Sequence, residues 1–136
     1  MKIIIAGAYA IGTHLARLLS RDHEDIVVMD TDEERLQHIG SDVDILAMEA
    51  SLTSVKALKK AGAEHADLFI AVTPDESQNM ASCVLAKALG TKKTVAKIDN
   101  SEYIEPDLQE FFAELGVSSV IYPEMLAAID INNGLK

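Results

Sequence analysis

Six short runs of apolar, mostly β-branched residues recur along the chain: Ile3 to Ala6, Ile26 to Met29, Val43 to Ala47, Leu68 to Val72, Thr94 to Ile98, and Val117 to Tyr122. Within the runs apolar residues mostly follow one another instead of strictly alternating with polar ones, the pattern of strands buried on both faces. Between the runs the apolar positions recur at intervals of three and four. They are Ile11, Leu15, Leu18 and Leu19; Leu36 and Ile39; Val55 and Leu58; Met80, Val84 and Leu85; and Leu108, Phe111, Phe112 and Leu115. That spacing gives a helix one apolar face. Strand and helix therefore alternate throughout, and with short right-handed crossovers this predicts an α/β fold: a Rossmann-like, doubly wound, six-stranded parallel sheet with helices on both faces.

Punctuation agrees with this order. Thr31-Asp32 precedes Glu33-Glu34 as a helix start, Gly40 and Gly62 follow helical stretches, and Gly90 precedes the fifth strand. A last segment, 123–131, opens on Pro123, suited to a first helical turn, and carries Met125, Leu126 and Ile129 on one stripe. No seventh strand follows for it to cover, so it is expected to serve assembly. The 136 residues suffice for one domain with a real core, and no linker divides them.

Composition narrows the function. Apolar residues make up 49% and charged residues 25% of the chain, and no apolar stretch approaches the ~20 residues of a membrane span, so direct membrane insertion is not expected. The start lacks the features of a signal peptide, which points to the cytoplasm. Cys83, the single cysteine, has no disulfide partner and no clustered His or Cys for a metal site, and reads as a core residue. A formal charge of −10 argues against nucleic acid, whose phosphates call for a basic face.

Chemistry is concentrated after the first strand, in the loop Gly7-Ala8-Tyr9-Ala10-Ile11-Gly12. In a dinucleotide-binding loop the first glycine makes the tight turn, the middle one admits the pyrophosphate, and the last lets helix pack on strand. Gly7 and Gly12 keep the outer roles, while Tyr9 stands in the middle. The helix that begins near Ala10 still offers unpaired N–H groups and the positive end of its dipole to an anion. Asp30 comes eighteen residues after Gly12, with Thr31 beside it, close to the spacing at which a carboxylate takes the hydroxyls of an adenosine ribose. A helix cap or a solvated strand end is the alternative for Asp30, and Asp32 reads as a cap. A carboxylate at that place would repel a 2′-phosphate, favouring NAD over NADP. Ligands of doubly wound sheets sit beyond the carboxyl ends of the strands, where Ser51-Leu52-Thr53, Thr73-Pro74-Asp75-Glu76 and Lys97 also fall. Thr73 and Asp75 could equally cap the helix that contains Asn79, and Lys97 could be a solvated cation.

With these residues in view, the chain resembles the N-terminal domain of Trk-type potassium-uptake regulatory subunits, the TrkA-N, RCK or KTN nucleotide-binding domain. The likeness is carried by "MKIIIAGAYAIGTHLARLLS", "DIVVMDTDEERL", "SLTSVKALKKAGAEHADLFIAVTPDESQNMASCVLAKALGTKKTVAKI", "SEYI" and "VIYPEMLAA". It implies a cytoplasmic regulator, peripheral at the inner face of the membrane, that binds NAD(H) or an adenine nucleotide (ATP, ADP or AMP). It further implies a homodimer or higher homo-oligomer that gates a potassium-translocating membrane subunit. By the same likeness Asp30 matches the ribose carboxylate, Ser51 and Leu52 the adenine-side segment, Val72 and Thr73 the segment beside the nucleotide, and Lys97 a basic residue near the phosphates. The family usually has glycine where Tyr9 stands and arginine where Lys97 stands; a lysine keeps the charge but loses the two-pronged phosphate geometry.

An enzyme would need a proton donor or acceptor at the nicotinamide and room for a substrate. His14, His23, His38 and His65 show no spacing that pairs a nucleophile with a base, and catalytic residues are not expected. A fragment of a small NAD-dependent oxidoreductase, and a structural Rossmann domain that has lost its nucleotide through Tyr9, remain the competing readings. Tyr9 itself is expected in extended or helical backbone, with a ring that can point to solvent and a hydroxyl that can donate to a phosphate.

Overall fold

The computed structural model describes residues 1–22, 24–39 and 44–123. Six strands, β1 (Lys2–Ala6), β2 (Asp25–Asp30), β3 (Leu46–Glu49), β4 (Leu68–Ala71), β5 (Lys93–Lys97) and β6 (Ser119–Ile121), form one sheet in the order β3-β2-β1-β4-β5-β6. Every pairing is parallel. Helices α1 (Ala10–Ser20), α2 (Glu33–Gln37), α3 (Val55–Ala61), α4 (Glu76–Leu89) and α5 (Pro106–Leu115) make the connections, with a short 3₁₀ turn at Ser101–Ile104 before α5.

Alternate strand residues serve two cores, as a pleated sheet requires. On one face Ile4, Ala6, Val27, Met29, Phe69, Ala71 and Ala96 meet Leu58 of α3, Cys83 and Ala86 of α4, and Phe112 of α5. On the other, Ile3, Ile5, Ile26, Val28, Ile70 and Val72 meet Ala16 of α1 and Leu36 of α2. Ile3, Ile4, Ile5 and Phe69 are all 0–1% exposed, and burial of each such side chain contributes about 1.5–3 kcal/mol. Cys83 is fully buried, and burial pushes its thiol up to about 12, an inert core group.

Local chemistry sets the helix boundaries. Asp32 caps α2 by accepting from Glu34 N–H, Ser54 caps α3 through Ala57 N–H, and Asp75 caps α4 through Ser77 and Gln78 N–H. The capping alternatives considered for Asp32 and Asp75 are thus the ones realised. Pro106 opens α5, and Tyr103 packs edge-on against Phe112 at 5.3 Å.

The third strand differs from the sequence expectation. The run 43–47 was expected in a strand buried on both faces, whereas β3 is Leu46–Glu49 and Leu46 is 64% exposed. Among the described residues it is an edge strand paired to β2 alone, and its register sets Met48 against Met29 and Glu49 against Asp30. Val43 and the apolar stripe of the segment expected at 123–131 (Met125, Leu126, Ile129) lie outside the described residues.

Candidate nucleotide site

Chain order runs one way from β1 through β2 to β3 and the other way from β4 through β5 to β6, so the sheet changes direction between β1 and β4. Connections leaving the carboxyl ends of β1 and β4 diverge to opposite faces there and open a crevice. Gly7 and Ala8 stand on one side of it, Val72 and Thr73 on the other.

The loop is built by close approach. Gly7 has φ +113°, and a Cβ there would come within 3.0 Å of the Thr73 methyl and 3.2 Å of its backbone N. At Gly12 a Cβ would lie 1.9 Å from the Gly7 carbonyl oxygen. Both outer glycines are therefore demanded by geometry, one by the turn and one by the seat of α1 on the loop. Helix α1 begins at Ala10, and the side chain of its N-cap residue, Tyr9, makes no capping hydrogen bond. Its first N–H groups, around Ala10, Ile11 and Gly12, face the crevice end of the fold unpaired within the helix.

Tyr9 has extended backbone, φ −84° and ψ −170°, as expected, so the side chain imposes no left-handed strain. Its ring has a partner on one face. The Arg35 guanidinium lies over it, 4.2 Å from the centroid, and the residue is half-buried.

Asp30 closes β2 and is 2% exposed, so it is neither a helix cap nor a solvated strand end. Its Oδ2 accepts from Ala8 N–H at 2.7 Å, and its Oδ1 accepts from Asp32 N–H at 2.9 Å. The Arg35 fork completes the set, with Nη2 donating to Oδ1 at 2.9 Å and Nε shared between Oδ1 and Oδ2 at 3.1 and 3.2 Å. Burial pushes the carboxyl up, but the Arg35 hydrogen bond and the Ala8 and Asp32 N–H donors outweigh it and hold the group below the usual carboxylate range. A lowered native pKa stabilises the folded state above the unfolded value near ~4, and that contribution fades as pH falls through the native value. Asp30→Asn should therefore cost about 2 kcal/mol at pH 7, and the cost should shrink below about pH 4. Melts of both proteins between pH 7 and pH 3 give the comparison; a gap that widens on acidification would reverse the sign assigned here.

Beyond β4, Thr73 is 3% exposed and Asn79 of α4 is 1% exposed. The Asn79 amide accepts from Thr73 N–H (2.9 Å) and Thr73 Oγ1 (2.6 Å), and donates to the carbonyls of Thr73 (2.8 Å) and Lys97 (2.9 Å). One side chain thus ties together the carboxyl ends of β4 and β5. Lys97 extends its ammonium to Asp99 at 3.1 Å. Glu76 accepts from Asp99 and Asn100 N–H, ordering the turn after β5.

The remaining expected contacts are more dispersed. Ser51 is exposed; its hydroxyl bonds to Thr53 and its carbonyl accepts from Ser54 N–H, all within its own turn. Leu52 and Val72 are buried at 3% and 2% and act through packing, and Thr31 is exposed at the mouth of the β2 turn. His14, His38 and His65 are exposed, and His23 lies outside the described residues. Among the described residues no group of three or more His, Cys, Asp or Glu could hold a metal ion. A hollow of about 370 Å³ lies beside α2 and β3, but Glu33 and Glu49 line it, a poor setting for phosphate. Sequence reasoning missed two residues of the site, Arg35 and Asn79.

Residues 3–123 match the family model of the TrkA-N domain. The chain belongs to the TrkA-N family. Over 129 residues it is 35% identical to a Trk system potassium uptake protein TrkA homolog of Archaeoglobus fulgidus, covering 94% of this chain and 29% of that protein. Over 133 residues it is 37% identical to the Trk system potassium uptake protein TrkA of Haemophilus influenzae, covering 96% and 29%. The chain thus spans under a third of these relatives' length.

Solved TrkA-N-like structures share the fold. The TrkA-N domain of the inner membrane protein ybaL from Escherichia coli superposes with TM-score 0.82 at 18% identity, covering 99% of this chain and 96% of that one. The GsuK channel bound to NAD gives TM-score 0.71 at 21% identity, covering 88% and 21%. The Kef CTD of Shewanella denitrificans in its AMP-bound form gives 0.69 at 20% identity, covering 96% and 77%. No helix among the described residues is long and apolar enough to cross a membrane.

Proposed function

We propose that this TrkA-N domain binds NAD(H) or an adenine nucleotide (ATP, ADP or AMP) at the β1/β4 switch point. In this reading it is the regulatory part of a potassium-uptake system and sets the activity of a potassium-translocating membrane subunit. The observation that carries the reading is Asp30. A buried carboxylate stands at the end of β2, fixed by Ala8 N–H from the glycine loop itself, where a ribose diol would find two acceptor oxygens. The start of α1 offers N–H donors to phosphate, and Lys97, paired with Asp99, lies one strand beyond β4. The names of the relatives, and the NAD and AMP of the two structural neighbours, support the same ligand class and the same physiological setting.

Binding without chemistry is enough for this role. A nucleotide that prefers one arrangement of an assembly shifts its population by the difference in binding free energy, and by no more. The domain is read as non-catalytic, formed by residues 1–136 and held at the inner face of the membrane through its partner. The segment 123–131 serves a homodimer or higher oligomer; light scattering that found only monomers at tens of micromolar would remove that part.

Thermal melts with NADH, ATP, ADP and AMP should show stabilisation without turnover. NADP(H) should do little, because its 2′-phosphate meets Asp30. Asp30→Ala should weaken the nucleotides that bind by about 10–100-fold, the effect of removing hydrogen bonds to a charged group. Turnover of NADH with an added carbonyl compound would favour an oxidoreductase, and no stabilisation by any nucleotide would favour a purely structural domain.

A further inference from the structure

A carboxylate offers about four lone-pair directions. On Asp30 two are taken by backbone donors, Ala8 N–H on Oδ2 and Asp32 N–H on Oδ1, which cannot leave without unmaking the glycine loop and the turn that leads into α2. The other two are taken by the Arg35 fork, Nη2 on Oδ1 and Nε on both oxygens. A ribose diol also brings two donors, spaced for the same two oxygens. Diol and guanidinium cannot both bind.

Arg35 is also held from its other sides. Its Nη1 pairs with Asp32 at 3.3 Å, and the flat face of the guanidinium rests on the Tyr9 ring at 4.2 Å. Tyr9 thus takes a part that the middle glycine of a dinucleotide loop cannot play, because glycine has no ring for a cation to rest on. The Arg35 side chain is still 30% exposed, so it has an open path to water once released, whereas the Asp30 side chain, at 2%, has none.

We propose that Arg35 is an internal ligand of the ribose position: it pairs with Asp30, is clamped there by Tyr9, and must be displaced by an incoming nucleotide. The inference rests on the reading of Asp30 as the ribose contact. Its consequence is a self-occupied site, tuned to weaker binding than an open carboxylate would give. The free domain keeps its buried charge paired, and a nucleotide is captured only when its phosphates gain enough elsewhere. The two strengths, Arg35 on Asp30 and Tyr9 on Arg35, set the nucleotide concentration at which the domain responds.

The test is calorimetry with ADP and NAD on the full chain, as wild type, Arg35→Met, Arg35→Lys and Tyr9→Gly. Arg35→Met keeps the aliphatic stem and removes the competitor, so both ligands should bind about tenfold tighter. Arg35→Lys keeps a charge that pairs less well than the fork and should give a smaller gain, about threefold; it also serves if Arg35→Met folds poorly with Asp30 unpaired. Tyr9→Gly should likewise tighten binding. In the wild type, the Arg35 Nε–H resonance should be protected from exchange when the site is empty and should lose that protection on adding ADP. Weaker binding by Arg35→Met and Arg35→Lys would overturn the proposal by making Arg35 a contact to the ligand. Wild-type binding that neither substitution changes would also overturn it while leaving the nucleotide site standing. If no variant binds either ligand, the nucleotide reading itself fails, and the latch with it.

Discussion

Gly12→Ala is expected to lower the melting temperature by about 8 °C or more, although the substitution replaces the second-worst helix former with the best. In an exposed helix interior that exchange would stabilise by about 1 kcal/mol. Gly12 is the third residue of α1, so the gain is available in principle. Against it stands the Gly7 carbonyl oxygen, 1.9 Å from where the new Cβ must go, when an ordinary carbon–oxygen contact needs about 3.3–3.6 Å. The obstacle is backbone, in a loop pinned by Gly7 N–H on the Met29 carbonyl at 2.8 Å, so it has no rotamer by which to yield. Helix α1 would have to rise off the loop by more than an ångström, drawing Ala16 away from the sheet. Such overpacking costs about 3 kcal/mol at its upper end, leaving about 2 kcal/mol or more of net loss, at roughly 4 °C per kcal/mol for a domain of this size.

Gly62→Ala supplies the control. Gly62 has φ +98°, a conformation unfavourable to alanine, but the nearest atoms to an added Cβ belong to the flexible end of the Lys2 side chain. Its cost should stay near the ~1 kcal/mol of the backbone alone. The ranking Gly12 worse than Gly62 is the measurable claim, and nucleotide affinity should fall with the first and not the second. A Gly12→Ala protein that melted at or above wild type would show that α1 does not depend on this seat.

The requirement at Gly12 was legible in the sequence because it is local: strand, glycine, four residues, glycine, helix leaves few arrangements. The parallel sheet was legible for a similar reason, since continuous apolar runs separated by helical stretches have one economical packing. The third strand was not, because an apolar run reads the same whether one neighbour or two will flank it, and the edge position of β3 is decided by the order of the sheet. Asp30 announced itself by spacing, but its partner did not. Arg35 sits in "DTDEERL" among carboxylates, where a solvated surface ion pair is the natural reading. Only the fold shows that one of those carboxylates is buried and that the ring of Tyr9 lies across the guanidinium. Asn79 was hidden differently, as the last of the four consecutive polar residues that open α4, Glu76 to Asn79, ahead of Met80; what such a residue bonds to depends on two strand ends that the helix has not yet met.

That hidden asparagine carries the second large effect. Asn79→Leu should cost about 3–4 kcal/mol and with it most nucleotide affinity. The amide satisfies all four of its own hydrogen-bonding positions, and in doing so it partners Thr73 N–H, Thr73 C=O and the Lys97 carbonyl. A leucine of similar size fills the space and leaves those backbone groups without that partner, at about 1–3 kcal/mol for each one that water cannot reach. Since Thr73 and Lys97 lie at the ends of β4 and β5 on the crevice side, loosening them also disturbs the floor on which a nucleotide would rest. Asn79→Asp is the sharper variant, because it keeps the shape and the acceptor but presents a second acceptor to two carbonyl oxygens. Ionised, that carboxylate faces carbonyls in a buried site, so its pKa in the folded state should lie above the unfolded value near ~4. Such a raised carboxyl destabilises the fold most at high pH, and the penalty declines as pH falls through the folded pKa and the group regains a proton to donate. Asn79→Asp should therefore be less stable than Asn79→Leu at pH 8 and recover relative to it by pH 5, a crossing that denaturant titrations at the two pH values can read directly. Parallel losses for both variants at both pH values would mean that the site is wet enough to solvate the charge, and that the two strand ends are held by packing instead of by this one amide.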